Sequence, residues 1–298
     1  MTHNASEPAH YHDRNEKAPQ SYQSTTPPSD TTQQNQPASH HMQQLADPST
    51  AAVSFRGLGK TFGEKVAVYP FAFDVPRGSF YGLVGPNGAG KTTTLSMLTG
   101  LLRPDMGHAY VHGVDVWERP LEAKQKLGVL ADGMRLFDRL SGRQLITYTG
   151  RLRGMDVAVV DERVEDLLRV MDLQGAADKQ VVDYSAGMHK KVALACAMVH
   201  APQVLVLDEP FEAVDPVSSA NIRDILNTYV EQGGTVLISS HVMDLVQRMC
   251  SHVAVIAQGE LKAAGTVDDV RGGMSLEDRF VDLVGGRGEH GGLSWLHN

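Results

Sequence analysis

The chemically most specific pattern in this 298-residue chain is the stretch Gly85-Pro86-Asn87-Gly88-Ala89-Gly90-Lys91-Thr92. It follows the apolar run Phe80 to Val84 and opens a helix-like segment, so it reads as strand, phosphate loop, helix. Its glycines let the backbone wrap with amides pointing inward. Lys91 supplies a point charge for β- and γ-phosphates, and Thr92 offers a hydroxyl to Mg²⁺. A helix starting near Gly90 adds its positive end to the same anion site. A second pattern complements the first. The aliphatic run Val204-Leu205-Val206-Leu207 ends in Asp208-Glu209-Pro210, which puts two acids at the carboxyl edge of a sheet. Asp208 is then placed for Mg²⁺ beside the phosphates and Glu209 for the attacking water, and this strand is expected to lie beside the phosphate loop.

These residues need a frame, and the apolar pattern describes one. From Ala52 onward, short runs bounded by Gly and Asp read as strands: Ala52 to Phe55, Val66 to Val75 broken at Pro70, Phe80 to Val84, and Ala109 to His112. A helix over Glu118 to Lys126 leads to a strand at Leu127 to Leu130. Residues 141 to 200 are largely helical by spacing, as in Val164, Leu167, Leu168 and Met171. Strands follow at Val204 to Leu207, Thr235 to Ser239 and Val253 to Ile256, with a helix over Val217 to Val230 between the first two. Short apolar strands with intervening helices imply an α/β fold, a parallel sheet covered on both faces.

Composition limits the function. Residues 1 to 50 are rich in Gln, Thr, Ser, Pro and His and nearly free of aliphatic side chains, so they read as a disordered tail; His3, His10, His12, His40 and His41 are solvated filler there rather than a metal site. The net charge is −8, with acids in excess in the tail and in the remainder, which argues against nucleic acid as a partner. Cys196 and Cys250 each sit in an apolar helical pattern and read as small core residues in a reducing compartment. No secretory leader and no long apolar span is expected.

Between the two chemical patterns lies Tyr184-Ser185-Ala186-Gly187-Met188, opening an apolar helix for which Ser185 is a natural N-cap. In this order, from about Ala52 to Gly265, the chain resembles the ATP-binding cassette ATPases of transporters. The resemblance implies a P-loop NTPase (RecA-like) core with a parallel sheet, an antiparallel β subdomain and an inserted helical subdomain over about 132–200, within a cassette spanning 51–270. A short C-terminal helix and tail over 271–298 would follow.

The same resemblance implies the site. Phe62 would stack on adenine, and Gly85, Pro86, Asn87, Gly88, Ala89, Gly90, Lys91, Thr92 and Thr93 would hold the phosphates of ATP. Thr92, Asp208 and Asp132 would serve Mg²⁺, with Glu209, His241 and Lys91 as catalytic residues. Ser185 and Gly187 would close on the γ-phosphate of ATP held by a second cassette, in a homodimer or heterodimer, and Ala213-Val214-Asp215 would bridge the two sites. An integral membrane permease would dock around Asp132 to Leu152, with the chain cytoplasmic and peripheral on the inner face of the membrane. The run Ser275 to Val284 resembles the short ending of cassettes serving drug, polysaccharide or lipid-type exporters. The other reading is a soluble cassette acting in macromolecular assembly. Two departures stand out: the signature is Tyr-Ser-Ala-Gly-Met where the family commonly has Leu-Ser-Gly-Gly-Gln, and Asp132 stands where it usually has glutamine. Aspartate is shorter, charged and acceptor-only, which bears on coupling to the permease.

Overall fold

Alternating runs and continuous runs build different sheets. The structure is a computed structural model and describes residues 45–285. In chain order the strands are β1 (Val53–Phe62), β2 (Lys65–Val75), β3 (Phe80–Val84), β4 (Met106–Val111), β5 (Val114–Asp115), β6 (Leu127–Leu130), β7 (Val204–Leu207), β8 (Thr235–Ser240), β9 (His252–Ala257) and β10 (Glu260–Thr266). The helices are α1 (Lys91–Leu98), α2 (Pro120–Lys126), α3 (Gly142–Leu152), α4 (Val157–Val170), α5 (Ala186–Met198), α6 (Pro216–Glu231), α7 (Met243–Met249), α8 (Val267–Arg271) and α9 (Leu276–Leu283). None of them is long and apolar enough to cross a membrane.

An antiparallel sheet has the order β2-β1-β4-β5, and the larger sheet has the order β10-β9-β3-β8-β7-β6. In the larger sheet every pairing is parallel except β10 against β9. Residues of β3, β7 and β8 are buried throughout, which is why they read as unbroken apolar runs. Successive side chains point to opposite faces. Leu205, Leu207, Val236 and Ile238 therefore enter one core with the helices, while Val204, Val206 and Leu237 enter a second core beneath the antiparallel sheet. Phe55, Phe71 and Phe73 fill that second core and reach Tyr81 on β3, with Phe73 and Tyr81 centroids 5.7 Å apart. This aromatic layer fixes the antiparallel sheet over the phosphate-loop strand.

Pro70 does not break its strand. It lies on the edge strand β2, between the pairs Leu58↔Phe71 and Lys60↔Val68, where the register shifts and a ladder donor is dispensable. The expected adjacency of the two chemical strands is also corrected: β8 lies between β3 and β7. The acids still reach the loop because they stand beyond the carboxyl end of β7. Strand β10 had no sequence signal; its pattern Glu-Leu-Lys-Ala-Ala-Gly-Thr is that of a half-exposed edge, reached through a tight turn with Gln258 at φ 53° and Gly259 at φ 80°.

The inserted helices start at side-chain caps. Ser141 and Gln144 form a reciprocal capping box for α3, Asp156 accepts from Ala158 N at 2.9 Å for α4, and Ser185 accepts from Met188 N at 3.3 Å for α5. Val160, Val164 and Leu168 make the buried stripe of α4 at four-residue spacing. Truncating Leu168, fully buried, to alanine is expected to cost about 2–5 kcal/mol. α9 packs with α7 and α8: Leu276 is buried and its N–H donates to Gln247 Oε1 at 2.7 Å. At the other end, Asp47 caps a short 3₁₀ turn at Pro48–Thr50, and Arg56 donates to the Ala46 carbonyl at 2.8 Å. The proposed tail up to residue 44, its histidines, and residues 286–298 lie outside the described residues. Cys196 and Cys250 are free and buried, and burial pushes the Cys196 thiol up to about 11.

Candidate functional site

The phosphate loop joins the carboxyl end of β3 to the amino end of α1. Gly90 caps α1 at φ 108°, and a β-carbon there would lie 2.8 Å from the Ala67 carbonyl oxygen, so both conformation and space require glycine. Lys91 is buried, and its Nζ donates to the carbonyls of Gly85 at 2.9 Å and Pro86 at 3.3 Å. A fixed cation thus sits inside the loop, next to the first-turn amides of a helix, which have no intrahelical acceptor.

The acidic pair is held from behind by β8. Asp208 is 3% exposed, its N–H donates to the Leu130 carbonyl at 2.8 Å, and Ser239 Oγ donates to its Oδ1. Ser239 Oγ in turn accepts from Glu209 N at 2.9 Å. Glu209 points the other way. Its Oε1 lies 3.4 Å from Lys91 Nζ and its Oε2 lies 3.2 Å from His241 Nδ1, so one carboxylate stands between two basic groups from different strand ends.

A cavity of about 750 Å³ opens over the loop, within the range of small-molecule sites. Phe62, Asn87, Gly88, Gly90, Lys91, Thr92, Thr93, Asp132 and Glu209 line it. Phe62, at the end of β1, is 51% exposed rather than part of the core, and Lys60 Nζ stands 5.5 Å from its ring centroid. Gly85, Pro86, Ala89 and the buried Asp208 are not among its lining residues. His241 lines a neighbouring cavity of about 450 Å³ that shares Glu209 and Glu212 with the first. Ser185 and Gly187 line neither: they begin α5, where a β-carbon on Gly187 would lie 2.6 Å from Ser218 Oγ and 2.9 Å from Asp215 Oδ2.

Residues 68–212 match the family described as ABC transporter, and the Nod factor export ATP-binding protein I of Burkholderia lata is 39% identical over 215 residues, 72% of this chain and 71% of that protein. The chain belongs to the ABC transporter family. The linearmycin resistance ATP-binding protein LnrL of Bacillus subtilis is 33% identical over 213 residues, 72% of this chain and 68% of that protein. A solved structure described as the ATP binding subunit of an ABC transporter superposes with a TM-score of 0.73 at 26% identity, covering 78% of this chain and 100% of the other. The fold is accordingly that of the α/β P-loop ATPases, and the protein is an ABC transporter ATPase subunit.

The cassette's cavity also suits a hard divalent cation. The Thr92 hydroxyl and the Asp132 and Glu209 carboxylates supply oxygen donors around it, and Glu209 Oε1 is buried without a hydrogen-bond partner. Six lining residues were not anticipated from the sequence: Lys65, Val66, Ala67, Glu212, Gln258 and Gly259. Glu212 enters because its N–H donates to the Glu209 carbonyl at 3.2 Å, closing a turn after Pro210. Gln258 enters on the turn into β10, which is held to β2 by Tyr69 N donating to the Gly259 carbonyl at 2.8 Å. A Gln-Gly pair after a strand was the available signal for that turn.

Proposed function

We propose that this cassette binds ATP with Mg²⁺ in the cavity over the phosphate loop, hydrolyses it as half of a dimer, and drives export through a separate membrane permease. The observation that carries the reading is Glu209, held between Lys91 and His241 at the wall of that cavity. Adenine stacks on Phe62. The phosphates lie along Gly85 to Thr93, where backbone amides and Lys91 oppose their charge. Thr92 and Asp132 at the cavity wall would hold Mg²⁺, with Asp208 behind them, bonded to Ser239, as the further carboxylate expected to serve it; the ion would supply charge neutralisation to the phosphates.

Water attacks the γ-phosphorus in line, and the bond to the bridging oxygen breaks. Glu209 accepts the water's proton, and His241 orients water and γ-phosphate. Ser185 and Gly187 belong to the opposite half-site. They stand at the amino end of a 13-residue helix and away from their own chain's cavity, which supports a second copy or a related cassette as the partner that receives them. ATP holds the two subunits together, and its hydrolysis releases them.

The permease would meet the chain around Asp132 to Leu152. Met134, Phe137, Tyr148 and Leu152 are exposed there, with Phe137 and Tyr148 in an edge contact at 5.5 Å. That apolar group supports membrane transport over soluble assembly work; on this reading the chain sits peripherally on the cytoplasmic face of the membrane. The direction is export, as in the name of the Nod factor relative and in keeping with the resistance in the name of the linearmycin relative. Glu209→Gln tests the chemistry: phosphate release should fall at least about a hundredfold, the low end of what a positioned general base contributes, while ATP binding persists. Undiminished turnover would remove Glu209 from the reaction.

A further inference from the structure

Glu209 occupies the left-handed region at φ 45°, where a residue with a β-carbon is strained, and Ala213 does the same at φ 57°. Such a backbone needs restraints. The Glu209 N–H is held by Ser239 Oγ at 2.9 Å, and its carbonyl accepts from Glu212 N at 3.2 Å within its own turn. The remaining bond comes from elsewhere. Lys190 Nζ, reaching across from α5, donates to the same carbonyl at 3.0 Å. Lys190 is half-buried, and its ammonium finds a carbonyl rather than a carboxylate, unlike the ion-paired lysines Lys60 and Lys262.

The same helix grips the far end of the turn. Gly187 lies so close to Asp215 and Ser218, at the start of α6, that no β-carbon fits between them. The segment from Glu209 to Asp215 is therefore bonded to α5 at one end and packed closely against it at the other, and Ser185 caps α5 with Gly187 in its first turn. A shift of α5 is therefore transmitted to the Glu209 carbonyl through the Lys190 bond and the Gly187 contact.

We infer that Lys190 is a positioning residue: it ties the backbone of the hydrolytic carboxylate to the helix that faces the partner's nucleotide, so that closure on one ATP is felt at the other. This rests on the reading of Glu209 as base and of α5 as partner-facing. A charged donor lost from a half-buried carbonyl is expected to matter to the rate, on the order of tenfold.

The test compares Lys190→Met, Lys190→Arg and Glu209→Gln in the full-length chain, measuring steady-state hydrolysis with ATP and Mg²⁺ and thermal midpoints. Lys190→Met should lower kcat about tenfold with KM for ATP within about twofold, because no phosphate contact is touched, and Lys190→Arg should recover most of the rate. An unchanged kcat in Lys190→Met beside an inactive Glu209→Gln would overturn the role of Lys190 and leave the site reading intact. A loss in Lys190→Met that arginine does not recover, with a lowered thermal midpoint, would likewise overturn it, since folding would then account for the loss. Full activity of Glu209→Gln would instead bring down the underlying reading.

Discussion

At the scale of single residues, the site sets the Glu209 carboxylate between a lysine at the start of α1 and a histidine just past β8. Lys91 and His241 approach the two oxygens of Glu209, and Asp208 is turned inward onto Ser239. Under the proposed function, adenine stacks on Phe62. Its ring is half in solvent and covers little core, so Phe62→Ala should leave the fold intact and raise KM for ATP by roughly three- to tenfold, the worth of one aromatic stack. Isothermal titration with ATP checks this, and an unchanged affinity would return Phe62 to a surface role. Asp132 lines the cavity as a carboxylate, at the position where the family resemblance implies an amide. Hydrolysis with the permease present should differ in Asp132→Gln and Asp132→Ala from the parent; equal activity in all three would show that Asp132 does not sense the site. Lys91, Asp208 and Glu209 were legible from local signals, a glycine pattern and a strand end, whereas Phe62, Asp132 and His241 were reached only through the family resemblance. Lys190, Glu212 and Gln258 were not, because their positions depend on a crossing helix or a turn into an unforeseen strand.

At the scale of elements, α5 and β6 are joined by a histidine. His200, just past the end of α5, bonds the Leu127 carbonyl at 2.9 Å through Nε2, which places the ring proton there and leaves Nδ1 buried and unpaired. Burial, then the charges of Arg153 and Arg163, bring its pKa down from 6.5 to about 4. Between those values the unfolded chain takes up a proton that the folded chain resists, so stability falls as pH drops. The thermal midpoint should decline from pH 7 to pH 5 more steeply in the parent than in His200→Gln, and parallel declines would contradict that assignment. Strands buried on both faces were readable as apolar runs, and caps such as Ser185 marked helix starts. Strand order was not readable. Nothing local in Val204 to Leu207 says that β8 will insert between it and β3, since that is decided by how the crossovers wind.

At the scale of the whole molecule, the described residues hold one nucleotide cavity wall and, apart from it, the amino end of α5. Under the proposed function a second cassette completes the site, because Ser185 and Gly187 line neither cavity of their own chain. The exposed apolar group at Met134, Phe137, Tyr148 and Leu152 is the face proposed for the membrane partner. Phe137→Glu should keep the hydrolysis of the isolated chain while reducing its recovery with detergent-solubilised membranes, and undiminished recovery would move the docking face elsewhere. The central claim is that ATP closes two cassettes around composite sites. The most direct measurement is the molar mass of Glu209→Gln by size-exclusion chromatography with light scattering, with and without ATP and Mg²⁺. The account predicts a monomer without nucleotide and a stable dimer with it; a monomer under both conditions would contradict it.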